Sequence, residues 1–282
     1  MTAAASALPL APRGAARLPV AELRALSRIE GRRLLRHPVF LFAAALTLLF
    51  FRDAGDGGTL EQFVGGFGWL PLASATLVVA SLAALRSRRD GTDDLYGSLP
   101  RRRPSRTAGQ LLAVLWTLPV SCAVLVAVLI DNRSADYGPG VPHAPGIDQL
   151  VQGPLMVVAF GAIGILLART VPSVIAAPLL VVVLIALQLP GLVGRGWLGW
   201  ALPTTTSLFE SRPDTICDPA IGPGCRQVEV FFLGPLTWHV VYVAAMTLVI
   251  AAAALIPARR LPIAGLSALA VAIAVATKLA AG

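Results

Sequence analysis

The strongest constraint on this chain is a recurring absence. Blocks of about 20 residues without a charged side chain repeat along it, and the charges crowd into the segments between them. A helix of that length, rising ~1.5 Å per residue, crosses the ~30 Å hydrocarbon core of a bilayer. Water is absent there, so the backbone must satisfy its own hydrogen bonds, as a helix does. Hydrophobic residues make up 56% and charged residues 13% of the 282; a soluble domain carries about 25% charge. The mean hydropathy is +0.75. The expected fold is all-α, a polytopic transmembrane helical bundle.

Residues 1–18 are rich in Pro, Ala and Gly and lack the continuous apolar stretch of a signal peptide. They read as a disordered cytosolic tail ahead of a single transmembrane domain, 19–282. The segment PVAELRALSRIEGRRLLR, 19–36, reads as an N-terminal interfacial amphipathic helix. Val20, Leu23, Leu26 and Leu34 share one side, and Arg24, Arg28, Arg32 and Arg36 the other, with Glu30 as the exception. The plainer reading is a charged flank to the first span. Six core spans are expected: one from Pro38 through VFLFAAALTLLFF, then 63–85, 108–130, 150–168, 174–192 and 236–256. A weaker C-terminal seventh covers 263–281. Gly65, Gly66, Gly68 and Pro71 point to close packing or a kink in the second. Gly161 and Gly164 are either close-contact points between helices or ordinary packing positions. The longest connection is 193–234.

Orientation follows from the arginines. With the N-terminus cytosolic, the inner segments hold the seven arginines before residue 37, the seven between 86 and 106, Arg169, Arg259 and Arg260. The outer segments hold only Arg52, Arg133, Arg195, Arg212, Arg226 and Lys278. The excess of positive charge on cytoplasmic loops selects this arrangement, and it accounts for the net charge of +8 without nucleic acid as a partner. Membrane lipid is the partner that this pattern implies.

Much chemistry is missing. No Asp, Glu, Lys or Arg falls in the middle of an expected span, which argues against a proton- or ion-coupled carrier. The only lysine, Lys278, follows no glycine-rich phosphate loop, so the chain has no ATPase site of the GxxxxGK(S/T) kind. No HExxH or GxSxG motif appears. The histidines, His37, His143 and His239, are scattered, and no metal site is expected; His239 reads as structural. Cys122 reads as a small packing residue in the third span. Cys217 and Cys225 lie in one outer loop, with turn-forming Pro and Gly between them. They are disulfide candidates in an oxidising exterior; the alternative is two free thiols.

One polar segment is more elaborate than a connection requires. In RSRRDGTDDLYGSLPRRRPSRT, 86–107, Thr92 suits a helix cap and Asp93 and Asp94 a first turn, where the helix dipole favours anions. Leu95 and Leu99, four apart, share a face beside Tyr96, and Pro100 ends the turn. A short helix with an apolar stripe suits docking on a cytosolic partner; an ordinary charged connection is the alternative.

The segment EGRRLLRHP, 30–38, before the first span, and RRDGTDDLYGSLPRRRPSRTAGQLL, 88–112, after the second, carry a resemblance. The first fits an ExRRLLRHP-like ending and the second the loose pattern RxxGTxxLxxxLPxxRxxRTxxxLL, and the chain resembles, over about residues 20–256, the membrane permease subunit of ABC-type exporters. That class includes drug, bacteriocin-immunity and polysaccharide exporters. The resemblance implies that 92–99 is the coupling helix, with Thr92, Asp93, Asp94, Leu95, Tyr96 and Leu99 against a cytosolic ATP-binding cassette subunit. It implies that 193–234 forms an extracellular gate region. It implies a dimer of permeases, identical or paralogous, in a bacterial plasma membrane. The chain would bind no cofactor and catalyse nothing itself, with ATP and Mg on the partner subunit. The seventh span departs from the six-span core. From a different class, a non-transporting membrane scaffold or sensor subunit fits the same absence of polar pathway residues.

Overall fold

The computed structural model describes residues 20–53, 66–91, 103–131, 146–188, 209–216, 226–233, 236–256 and 263–280. Nine helices appear among them: α1 (Val20–Leu35), α2 (Pro38–Asp53), α3 (Leu70–Arg89), α4 (Arg103–Val114), α5 (Thr117–Asp131), α6 (Ile147–Thr170), α7 (Ala176–Gln188), α8 (Thr237–Leu255) and α9 (Ile263–Ala280). A 3₁₀ turn, Phe67–Trp69, leads into α3. The 1–18 tail lies outside the described residues.

Among the described residues three stretches are long and apolar enough to cross a membrane: Ser105–Asp131, Ile147–Thr170 and Thr237–Leu255, of 27, 24 and 19 residues. A fourth is reached if α1 and α2 count as one bent pair. Shorter apolar helices cover Leu70–Arg86, Ala176–Leu187 and Gly265–Ala280. Large apolar side chains stand exposed around the bundle, with Phe42 of α2 at 70% and Leu248 of α8 at 72%. Such a belt is stable in lipid and not in water. The chain is a helical membrane protein.

Prolines set the breaks. Arg36 and His37 separate α1 from α2 because the residue before a proline is pushed out of the α region, while Pro38 itself suits a first helical position. The two helices meet at 62°. Ser105–Asp131 is broken at Leu115 and Trp116. Pro119 cannot donate to the Leu115 carbonyl, and its ring crowds it. The chain tightens there: Trp116 N–H bonds Ala113 O and Leu118 N–H bonds Leu115 O, each at 3.1 Å, and the Thr117 hydroxyl donates to Val114 O at 2.7 Å. Pro71, by contrast, makes no mid-helix kink; it falls in the first turn of α3, where no intrahelical donor is lost.

α6 is the centre of the bundle. Met156, Val157, Phe160 and Ile165 are buried along it, and its principal neighbours are α3 and α8. Glycines set the α3–α6 separation. A Cβ on Gly164 would lie 2.3 Å from the Leu77 carbonyl oxygen, and one on Gly153 would meet the Trp69 indole. Gly161 faces Val114 and Thr76. Both Gly161 and Gly164 are close-contact points between helices. Trp69, fully buried, packs edge-on against Phe51 at 5.4 Å between ring centroids. Cys122 differs from its expected packing role: it is exposed on α5, a free thiol on the outside of the bundle.

Within the long connection two strands, β1 (Phe209–Ile216) and β2 (Arg226–Leu233), form an antiparallel pair with Phe209 opposite Leu233 and Ile216 opposite Arg226. Pro213 is tolerated because both strands of a two-stranded sheet are edges.

Candidate functional site

The expected docking residues Thr92, Asp93, Asp94, Leu95, Tyr96 and Leu99 lie outside the described residues, as do Cys217 and Cys225. The structure describes what holds both ends of 92–102. On the entering side α3 ends with Arg89, Asp90 turns with its N–H on Arg86 O at 2.9 Å, and Gly91 follows at φ 63°. That left-handed conformation is nearly free of strain only for glycine, and it terminates the helix. On the leaving side α4 begins at Arg103.

α1 is fastened to both sides. Its buried stripe is Ser27, Gly31 and Leu34, and its main contact is α4. Gly31 is required there, since a Cβ would come 2.6 Å from Cγ and Cδ1 of Trp116. Gly109 of α4 allows the reciprocal approach, with Leu26 Cβ 3.0 Å from where its own Cβ would be. The Trp116 indole, released from regular helix by the Pro119 break, donates to Ser27 Oγ at 3.0 Å. Glu30 is the anion between two cations: Arg33 and Arg86 each approach it at 3.5 Å. Arg86 belongs to the last turn of α3, so this pair joins α1 to the side opposite α4.

Two further bonds close the unit. Gln110 Nε2 of α4 donates to Ala83 O of α3 at 3.2 Å, and Arg169, at the end of α6, donates to Thr107 Oγ1 of α4 at 2.5 Å. The roots of the 92–102 connection are therefore held by α1, α3, α4 and the end of α6. The arginine face of α1 is exposed as expected, with Arg24, Arg28, Arg32 and Arg36 outward. Its apolar side, expected to lie on the membrane, packs on α4, and Val20 remains 62% exposed.

At the opposite end of α6, Asp148 Oδ2 accepts from Leu236 N at 3.1 Å and from the Thr237 hydroxyl at 3.5 Å, while Oδ1 accepts from Gln149 N at 3.0 Å. One carboxylate thus serves the N-termini of α6 and α8, where both helix dipoles favour it. His239 is fully buried in α8 with Tyr242 at 5.9 Å between ring centroids, which fits a structural histidine. Among the described residues no group of His, Cys, Asp and Glu is placed to hold a metal ion.

Sequence reasoning identified Glu30 as an anomaly on a basic face but did not supply its partner. It missed Trp116, Gln110 and Arg169, whose partners are distant in sequence. No protein-family model matches the chain, and no curated protein matches it.

Proposed function

We propose that the chain is the membrane permease subunit of an ATP-driven exporter, forming a translocation pathway with a second permease chain, identical or paralogous. The 86–106 segment docks a separate cytosolic ATP-binding subunit, which holds ATP and Mg. In this reading α1 lies along the cytosolic surface and the N-terminus is cytosolic. The six core spans cross a bacterial plasma membrane, and the seventh segment crosses as well.

The observation that supports it most is the fastening of α1 to both roots of 92–102, by Trp116–Ser27 on one side and Glu30–Arg86 on the other. A lever must move its surroundings as a unit. Force applied to a freely hinged connection would be absorbed by its own dihedrals. A connection rooted in α3 and α4, both packed on α6, passes displacement into the bundle.

Affinity purification of the tagged chain in mild detergent, with and without crosslinking, tests the proposal. A stoichiometric subunit carrying a phosphate-binding loop supports it. The chain recovered without one under both conditions favours the scaffold or sensor reading, in which 86–106 is an anchor.

A further inference from the structure

A cavity of about 230 Å³ lies between the end of α1 and the last turns of α3. Its polar wall carries Arg33, His37, Arg86, Arg89 and Asp90. Its apolar lining comes from Leu34 of α1 and from Val79, Leu82 and Ala83 of α3. Three guanidinium groups therefore line a small space with one carboxylate. Glu30, behind them, approaches Arg33 and Arg86; counted with it, the site still carries a cationic excess. Arg89 has no carboxylate in ion-pair contact among the described residues. His37 Nδ1 is buried without a hydrogen-bond partner among the described residues, and such orphans are uncommon unless a ligand or water completes them.

We infer that this cavity binds a phosphate group, seated among Arg33, Arg86 and Arg89. Guanidinium forks match phosphate oxygens in bidentate pairs. Partial enclosure strengthens those bonds over what they would give in water. The apolar lining adds what a free anion does not use: a surface for the first carbons of an acyl chain. This favours an anionic phospholipid headgroup, reached from a membrane surface on which the arginine face of α1 also rests. The inference does not depend on transport and holds for a scaffold as well.

The test titrates the purified full-length chain in detergent, near 0.15 M salt, with short-chain phosphatidylglycerol, phosphatidylcholine and inorganic phosphate. At this ionic strength charges beyond ~8 Å are screened. The paired variant Arg33→Gln/Arg89→Gln removes two cavity cations. Arg24→Gln/Arg28→Gln removes the same charge from the exposed face of α1, away from the cavity. Phosphatidylglycerol should bind the native chain in preference to phosphatidylcholine. The cavity variant should lose about tenfold or more, and the surface variant less than about threefold. Displacement of phosphatidylglycerol by inorganic phosphate would identify phosphate itself as sufficient; no displacement would assign the site to the lipid headgroup, and both support the inference. Equal losses in the two variants would overturn it, as would no preference for phosphatidylglycerol together with no binding of phosphate. Should the paired variant fail to fold, Arg89→Gln alone, at an exposed position, should still lose about fivefold.

Discussion

Glu30 of α1 and Arg86 of α3 are 56 positions apart in the sequence and approach within 3.5 Å. Glu30 interrupts an otherwise basic helix face at the point where that face meets the end of another basic helix. Without it Arg33 and Arg86 would lose the carboxylate that each approaches at 3.5 Å. The acid that looked out of place in the sequence meets a basic residue of α3.

The Glu30–Arg86 pair should therefore show coupling in a double-mutant cycle. Arg86 is 39% exposed and Glu30 15%, so solvent screening limits the pair to roughly 0.5–1 kcal/mol. Thermal unfolding of Glu30→Gln, Arg86→Gln and the double variant in one detergent measures it. Strictly additive losses would mean that the two side chains do not interact.

Gly164→Ala should be far more damaging than Gly109→Ala. At Gly164 the new Cβ meets a backbone carbonyl at 2.3 Å, which no rotamer change relieves. Overpacking of this kind costs about 1–3 kcal/mol or more. At Gly109 the nearest atom is Leu26 Cβ at 3.0 Å, a contact that a shift of a few tenths of an ångström relieves, and alanine recovers about 1 kcal/mol of helix propensity. Melting temperatures of the two variants should separate clearly; similar values would argue against close α3–α6 packing.

Trp116→Phe keeps most of the ring but removes the donor to Ser27, at a cost of about 1 kcal/mol. Trp116→Ala removes the surface on which Gly31 rests and should cost about 3–5 kcal/mol. Because the loss falls between α1 and the rest, limited proteolysis should cut near α1 first in both variants. Cleavage spread evenly over the chain would contradict a local role.

In the proposed exporter, Leu95→Asp/Leu99→Asp should release the proposed ATP-binding subunit while this chain stays folded. Co-purification of that subunit checks the first outcome, and an unchanged gel-filtration profile checks the second. Unaltered co-purification would end the docking assignment of 92–99.

The described β1–β2 register ends with Ile216 opposite Arg226, and Cys217 and Cys225 adjoin these two residues in the sequence. In protein from an oxidising exterior, alkylation after denaturation should label Cys122 alone before reduction and all three cysteines afterwards. Three labelled cysteines before reduction would leave Cys217 and Cys225 as free thiols.

The membrane class and most helix positions were legible in the sequence because hydrocarbon imposes them one segment at a time. A charge-free block of the right length must become a helix, and Pro38 and Gly91 mark an opening and a closing whatever surrounds them. The hairpin was less visible. RQVEVFFL alternates over only a few residues, and Pro213 weakens FESRPDTI as a strand.

The sequence alone thus determined a helical membrane protein with an arginine-faced helix over 19–36, since bilayer thickness and the placement of charge act locally. Only the tertiary structure decided that α1 turns its inner face to α4, that Glu30 meets Arg86, that the Pro119 break delivers Trp116 to Ser27, and that α3 and α1 enclose an arginine-lined cavity. Those relationships depend on how closely helices approach, and that distance is set jointly by residues on different helices, as at Gly164 and Leu77.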